Sequence, residues 1–188
     1  TLNALLTDAE TKNKASEAQI ADLGKRLNSA LAQRVQELTR YRSEFFGRLR
    51  QILSQRSDIL VVGDRFVFQA EVLFPKGQAT LNPEGQAEML KLADALKQLE
   101  KEIPPDIAWV LRVDGHTDSD PIVSPQFKSN WELSAARAIA VVNFLIANGV
   151  SPQHLVAAGF GEYQPIDPGS TEEAKSRNRR IELKLTER

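Results

Sequence analysis

The sequence predicts an α/β (α+β) sandwich in which helices pack on a mixed β-sheet, preceded by a long N-terminal helix. Three observations predict this fold class. Residues 1–57 contain no proline and carry apolar residues at helical spacing. Beyond them, short β-branched segments alternate with longer helical patterns. The last segment, residues 181–185, alternates apolar and polar residues as a half-buried strand does. We therefore divide the 188-residue chain into a helix at 1–57 and a globular domain at 58–188.

The N-terminal helix carries an apolar stripe that needs a partner. Its residues recur every seven positions, at Leu31, Leu38, Phe45 and Ile52, and the four-residue step from Leu27 resembles a stutter in a coiled coil. Two partners are open, a second copy of the same helix or the chain's own globular domain. We favour the second copy, which predicts a homodimer.

Composition argues against several classes of function. The net charge is −1, so the chain has no overall field that favours nucleic acid. The arginines between residues 34 and 56 are interpreted as a solvated helix face rather than a nucleic-acid or lipid-headgroup site. Without cysteine there is no disulfide framework and no thiolate metal site. No run approaches the roughly 18 apolar residues that a membrane-spanning helix needs.

The elements of the globular domain follow from periodicity and punctuation. Strands are predicted at 59–62, 65–68, 107–113, 155–158 and 181–185. Helices are predicted from Asn82 to about Lys101, from Ser129 or Asn130 to Asn148, and over 171–176. Proline and glycine pairs stand at the ends of these segments, which supports the boundaries.

The most informative stretch reads as a buried strand, a polar loop and a capped helix. Glu132 stands three residues after Ser129, so a capping box can form at the helix start. Arg137 lies about two turns inside this helix and can point back to the loop that carries Asp118. A guanidinium offers a bidentate fork to a carboxylate, and an aspartate offers acceptors to an ammonium, so the pair suits a zwitterion. From the residues alone, Asp118 as a turn residue and Arg137 as the partner of a glutamate remain open.

Other chemistry has little support. Asp114, His116 and Asp118 alternate as metal ligands could, but no second histidine stands at close spacing, so we predict no metal. We interpret His116 as a residue that braces the loop through hydrogen bonds. Ser134 lacks a nucleophile elbow, so we predict no catalytic residue and no cofactor. Trp131 is interpreted as a packing anchor of the helix start rather than a sugar-stacking platform.

Four motifs stand in an order and at spacings that resemble one family: GHTD at 115–118, SNWELSAARA at 129–138, GFGE at 159–162 and NRRIEL at 178–183. They resemble the peptidoglycan-binding domain shared by OmpA-like and MotB-like proteins, and the resemblance covers residues 59–188. The SNWELS form and the long loop after GHTD are more similar to the MotB branch. The resemblance implies the same sandwich fold.

The resemblance also implies non-catalytic binding of peptidoglycan through the diaminopimelate residue of its stem peptide. Asp118 would contact the diaminopimelate ammonium, and Arg137 would contact its carboxylate. The other residues that match family positions around the pocket are Thr117, Asn130, Leu133, Arg179 and Arg180. For the two arginines, a structural role at the start of the last strand fits equally well. The loop at 119–129 departs from the outer-membrane pattern, so its contacts are not carried over.

By the same resemblance, the domain would anchor a membrane protein or complex to the cell wall from the periplasm. The parent protein is expected to have an anchor upstream of Thr1, in the inner membrane of a Gram-negative bacterium. The alternative is a MotB-like stator subunit of an ion-driven motor complex, with an inner-membrane motor-type partner. No nucleic acid is expected as a partner.

Overall fold

The computed structural model describes residues 1–53, 59–105, 107–122 and 124–187, and the statements about structure refer to them. Helix α1 spans Leu2–Leu53. The chain forms two compact units, Thr1–Arg40 and Tyr41–Arg188. The predicted division between residues 57 and 58 lies outside the described residues. Within the described ranges, no helix combines the length and the apolar character that a membrane span requires.

The first unit is an exposed helical segment. Asp22 and Arg26 form an ion pair one turn apart at 2.9 Å, which supports the helix locally. Leu27, Leu31 and Val35 are more than half exposed, although each is a large apolar residue. Helices that bury no apolar face have only marginal stability in water. The exposed stripe is therefore a surface that would gain stability from a partner.

The end of α1 belongs to the second unit and packs on its own domain. Phe45 is fully buried and meets Phe66 edge to face, with ring centroids 6.3 Å apart. Phe46 stacks on the same Phe66 ring at 4.7 Å. The predicted seven-residue stripe is therefore split, because Leu31 is exposed whereas Phe45 is a core residue. The side chain of Ile52 lies outside the described structure.

A five-stranded sheet forms the centre of the second unit, in the order β1-β2-β5-β3-β4. The strands are β1 (Ile59–Val62), β2 (Arg65–Gln69), β3 (Trp109–His116), β4 (Leu155–Gly159) and β5 (Arg180–Glu187). β3 and β4 run parallel and all other neighbours are antiparallel, so the sheet is mixed, as predicted. β3 is flanked on both sides and buried along almost its whole length, which places its end and the first two residues of the following loop, Thr117 and Asp118, deep in the fold.

The described helices of the domain are α2 (Ala70–Leu73), α3 (Pro83–Glu102), α4 (Asn130–Ala147) and α5 (Glu172–Asn178), with a short 3₁₀ turn at Pro152–His154. Three of them, α3, α4 and α5, begin at predicted capping residues, whereas the short α2 was not predicted. The side chain of Asn82 accepts a hydrogen bond from the Gly85 amide, and that of Ser129 accepts one from the Glu132 amide. Glu132 returns to the amide of Lys128 at 2.7 Å instead of that of Ser129, so the capping box is incomplete. α4 packs on β3 and β4, and the predicted sandwich is confirmed.

Candidate ligand-binding cavity

Two glycines of the sequence motifs allow α4 to lie directly on the ends of β3 and β4. A Cβ atom at Gly115 would stand 2.1 Å from the carbonyl oxygen of Ser134, and one at Gly159 would stand 2.6 Å from the amide nitrogen of Ala135. Any larger residue would therefore push the helix off the sheet. The fully buried hydroxyl of Ser134 accepts a hydrogen bond from the Gly161 amide at 3.0 Å. Ser134 therefore ties the helix to the turn after β4 and is not a nucleophile.

A cavity of about 410 Å³ opens where the loop after β3 meets α4, α5 and the segment after α2. Its lining includes six of the seven predicted site residues: Thr117, Asp118, Asn130, Leu133, Arg137 and Arg179. The long loop also lines the cavity, with Pro121, Ile122 and Ser124. Arg180 is not among the lining residues. The structure therefore brings the predicted charged pair to one cavity and separates Arg179 from Arg180.

Arg137 is a buried cation without an ion pair among the described residues. Its side chain is only 4% exposed, and its Nε donates to the carbonyl oxygen of Gln78 at 2.9 Å. The guanidinium lies over the Phe74 ring, 5.3 Å from the ring centroid. Burial lowers the pKa of Arg137 to about 10, although Glu71 and Asp118 raise it in part. The guanidinium remains charged at neutral pH and is available to a ligand anion.

Asp118 already has a cationic partner, which is Arg179 rather than Arg137. Nη1 of Arg179 donates to Oδ2 of Asp118 at 2.6 Å, and the amide of Asp120 donates to Oδ1 at 3.0 Å. Arg179 also pairs with Glu71, through Nε, and with Glu172, through Nη2 at 2.7 Å. Burial lowers the pKa of Arg179, but the hydrogen bonds to these three carboxylates outweigh burial and raise it. Asp118 therefore acts as a turn residue, the alternative that the sequence left open, and also lines the cavity.

Neutral side chains hold the loop in this conformation. Nδ2 of Asn130 donates to the carbonyl oxygens of Asp120, at 3.0 Å, and of Asp118, at 3.4 Å. The hydroxyl of Thr117 donates to the carbonyl oxygen of Asp118 at 2.9 Å. The amide of Thr117 donates to the carbonyl oxygen of Gly161. Two of the three residues predicted to shape the pocket, Thr117 and Asn130, therefore act by fixing the backbone around Asp118, and the third, Leu133, lines the cavity.

The charges around the cavity are asymmetric. Arg179 pairs with three of its carboxylates, and Lys175 pairs with the fourth, Asp120, at 2.7 Å. A ligand carboxylate would meet the unpaired guanidinium of Arg137, whereas a ligand ammonium would share Asp118 with Arg179. The cavity can therefore take a zwitterion, with the carboxylate as its stronger anchor.

A second, separate charged cluster is buried under the sheet end and has no open ligand position. Asp114, His116 and Glu182 lie close enough to hold a metal ion. However, Arg112 forms an ion pair with Asp114, and both Arg65 and Arg180 form ion pairs with Glu182. A divalent cation would therefore have to bind beside three guanidinium groups. The donor set does not suit a metal. This cluster also explains where Arg180 points.

His116 does not brace the loop through hydrogen bonds, contrary to the prediction. Neither ring nitrogen has a hydrogen-bond partner, and the nearest Glu182 oxygen is 3.7 Å from Nε2. The ring stacks instead on Phe160, with centroids 5.0 Å apart and planes 8° apart. Burial, together with the charge of Arg180, lowers the pKa of His116 to about 4. His116 is therefore a neutral packing residue at neutral pH.

The sequence interpretation missed several cavity residues. Phe74 lines the cavity and Gln78 accepts a hydrogen bond from Arg137. The two residues flank a Pro-Lys-Gly turn, which indicates an irregular segment but not a binding site. No local pattern marked Glu71 as a partner of Arg179, because Glu71 lies 108 positions away along the chain. Glu172, seven positions away, was also not predicted as a partner. Trp131, predicted as a packing anchor, is half exposed and stacks on Tyr163.

Comparisons with known proteins agree with this fold. Over 118 residues, 62% of this chain and 42% of the relative, the sequence is 35% identical to motility protein B from Bacillus subtilis. A MotB-like protein from Desulfovibrio vulgaris aligns with a TM-score of 0.70 at 27% identity, over 81% of this chain and 95% of that chain. The cell wall anchor of the T6SS from Pseudomonas aeruginosa aligns with a TM-score of 0.60 at 29% identity, over 78% and 96%.

The chain spans about half the length of the curated relatives it matches. The family match itself runs from residue 73 to residue 179, and so includes the GHTD motif, the start of α4 and Arg179. These residues build the cavity and make up more than half of the chain. The chain belongs to the OmpA family.

Proposed function

We propose that the globular domain binds peptidoglycan without cleaving it, by holding the zwitterionic end of a diaminopimelate side chain in the cavity. The observation that carries the proposal is the guanidinium of Arg137, which is buried at the cavity without an ion pair among the described residues. A buried charge without a partner costs stability. Its presence in a cavity favours a role in binding an anion over a role in the fold.

The chemistry of diaminopimelate fits the asymmetric charges. Its free end carries a carboxylate and an ammonium on one carbon atom. The carboxylate can accept hydrogen bonds from Arg137. The ammonium can approach Asp118, beside Arg179. A lysine at the same place in the stem peptide has an ammonium but no carboxylate, so it leaves Arg137 unpaired. We therefore expect the cavity to prefer diaminopimelate.

The lining favours binding over cleavage. The described lining residues include no histidine and no cysteine, the usual general base and thiolate nucleophile. Three of its four carboxylates pair with Arg179 and are therefore already engaged by a guanidinium. A lining of this composition is suited to hold a ligand through ion pairs and hydrogen bonds.

Two measurements test this function. The protein should sediment with purified diaminopimelate-type peptidoglycan, and the supernatant should contain no released muropeptides. In calorimetry, a stem peptide with diaminopimelate should bind at least about tenfold more tightly than the same peptide with lysine, because Arg137 stays unpaired in the second complex. Equal affinity for the two peptides would contradict the assigned pocket, and released muropeptides would contradict the absence of cleavage.

The comparisons support a cell-wall anchor as the wider role. One structural neighbour is described as the cell wall anchor of a T6SS. We propose that the domain lies in the periplasm of a Gram-negative bacterium and anchors a parent protein whose own attachment is an inner-membrane segment upstream of Thr1. The second candidate, a MotB-like stator subunit of an ion-driven motor complex, is favoured by the similarity to motility protein B. An acidic residue in a membrane segment upstream, together with loss of motility on gene deletion, would select the stator.

The exposed stripe of α1 supports a homodimer. Leu23, Leu27, Leu31 and Val35 present large apolar surface at helical spacing. We propose that two copies pair in parallel through this stripe, with both wall-binding domains at one end. The stripe is short once Phe45 is assigned to the domain core, so the pairing is weak and depends on concentration.

A further inference from the structure

An exposed aromatic pair stands at the start of α4, outside the lining of the cavity. Trp131 and Tyr163 stack with ring centroids 5.3 Å apart and planes 25° apart. They remain 49% and 61% exposed. We propose that this pair is a saccharide-stacking subsite, which contacts a pyranose ring of the glycan strand when the stem peptide occupies the cavity. The inference rests on the proposed function and extends it from the peptide to the sugar.

Both rings are held by the same framework that holds the cavity. Trp131 directly follows Asn130, whose side chain lines the cavity and donates to the carbonyl oxygen of Asp120. Tyr163 stands two residues after Gly161, whose carbonyl oxygen accepts from the amide of Thr117 at 2.9 Å. Movement of the pair relative to the cavity is therefore restricted by hydrogen bonds on both sides.

The distance suits a ligand that enters the cavity by its stem peptide. Diaminopimelate is the third stem residue, and three extended residues span about 10 Å. The sugar that carries the stem must therefore lie within about that distance of the cavity. Trp131 is one residue from the cavity-lining Asn130, which corresponds to about 3.8 Å between their Cα atoms. Trp131 is therefore attached to the backbone directly beside a residue that lines the cavity.

The form of the pair favours a sugar over a protein partner. A pyranose ring has a flat face of C–H bonds and a rim of hydroxyl groups, so it packs on an aromatic face while its rim stays in water. A stable protein interface usually needs some 20–30 residues on each side, far more than two rings supply. Because each ring limits the rotamers of the other, less side-chain entropy is lost when a ligand stacks on them.

Calorimetry with two ligands tests the subsite. The ligands are a diaminopimelate stem peptide alone and the same peptide attached to its N-acetylglucosamine–N-acetylmuramic acid disaccharide. Wild-type protein should bind the disaccharide-peptide about three- to tenfold more tightly than the peptide, as expected for one aromatic stacking contact. Tyr163→Ala and Trp131→Leu should bind the peptide as the wild type does and lose the gain from the sugar. Ile166→Ala, exposed in the same loop as Tyr163, is the matched control and should keep the gain.

Each other result overturns a defined part of the proposal. Equal binding of both ligands by the wild type, or a gain that both aromatic variants retain, would overturn the saccharide subsite and leave peptide binding in place. An equal loss of both ligands in Tyr163→Ala would assign the pair a structural role in the cavity and would also overturn the subsite. Absence of wild-type binding to either ligand would overturn the proposed function itself.

Discussion

Replacement of Arg137 by methionine should abolish most ligand binding without unfolding the domain. The Arg137 side chain packs over Phe74 and donates a hydrogen bond to the carbonyl oxygen of Gln78. Methionine keeps much of the length and the contact with the aromatic ring but removes the charge. The substitution therefore separates the two functions of the side chain, which are to fill space and to present a guanidinium.

The size of each effect can be worked out from these contacts. Loss of one partner of a desolvated charge pair costs about 2–5 kcal/mol of binding energy, or about 30- to 4,000-fold in affinity. The lost hydrogen bond to Gln78 lowers the free energy of unfolding by about 1 kcal/mol. Removal of a buried charge that has no ion pair offsets this loss. We expect a free energy of unfolding within about 1 kcal/mol of the wild type, or above it.

Calorimetry with the diaminopimelate stem peptide and urea unfolding of the same preparations measure both effects. Arg177→Met is the matched control, because Arg177 pairs with Asp167 on the surface and lies outside the described lining of the cavity. Binding by Arg137→Met within threefold of the wild type would refute the role of the guanidinium. A fall of several kcal/mol in the free energy of unfolding would show that the charge supports the fold instead.

Further changes address the loop, the helix and the buried histidine. Asp118→Asn should weaken peptide binding at least about tenfold but keep the fold, because the amide oxygen can still accept from the Asp120 amide; wild-type affinity in calorimetry would count against it. Leu31→Glu should abolish concentration-dependent dimerisation in analytical ultracentrifugation, whereas the exposed Gln33→Glu should not, and a wild-type chain that stays monomeric would exclude the dimer. Deletion of residues 1–40 should leave a folded monomer, but deletion of 1–57 also removes the buried Phe45 and should cost about 3–5 kcal/mol or more in urea unfolding; equal stability of the two truncated proteins would contradict that packing. Because the folded chain lowers the pKa of His116 from 6.5 to about 4, the unfolded chain takes up this proton first as the pH falls. The wild type should therefore lose about 3 kcal/mol of stability between pH 6.5 and 4. His116→Phe, which preserves the stack on Phe160, should lose clearly less over the same pH range, and parallel profiles would contradict the assignment.

The charges that were predicted to form a pair show why a binding site can be predicted only partly from a sequence. Asp118 and Arg137 were predicted together because a loop and the helix after it are close along the chain, and both side chains do line one cavity. Their partners were not predictable. Arg179, which lies 61 positions from Asp118 along the chain, forms the ion pair with Asp118. Arg137 therefore remains without an ion pair among the described residues. Which cation reaches a carboxylate depends on how distant segments pack.

The two adjacent arginines of the NRR motif make the same point at closer range. Arg179 precedes β5 and reaches the cavity carboxylates, whereas Arg180 is the first residue of β5 and pairs with the buried Glu182. Successive side chains of an extended chain point to opposite sides. The sequence allowed a ligand contact or a structural role for either residue, and the position of the strand start places Arg179 at the cavity and Arg180 in the buried cluster.

The sequence by itself determined the features that depend on neighbouring residues. Caps such as Asn82 and Ser129 accept hydrogen bonds from amides three residues away. Side chains of a strand alternate every two residues, and in β5 this alternation buries Ile181. Both signals are therefore local. The tertiary structure alone decided where the stripe of α1 divides, because Phe45 is buried where it meets Phe66, a residue of a distant strand. It also decided that Arg179 pairs with the cavity carboxylates, whereas the guanidinium of Arg137 is open to a ligand. Both outcomes depend on contacts between segments far apart in the chain, and local periodicity does not encode such contacts.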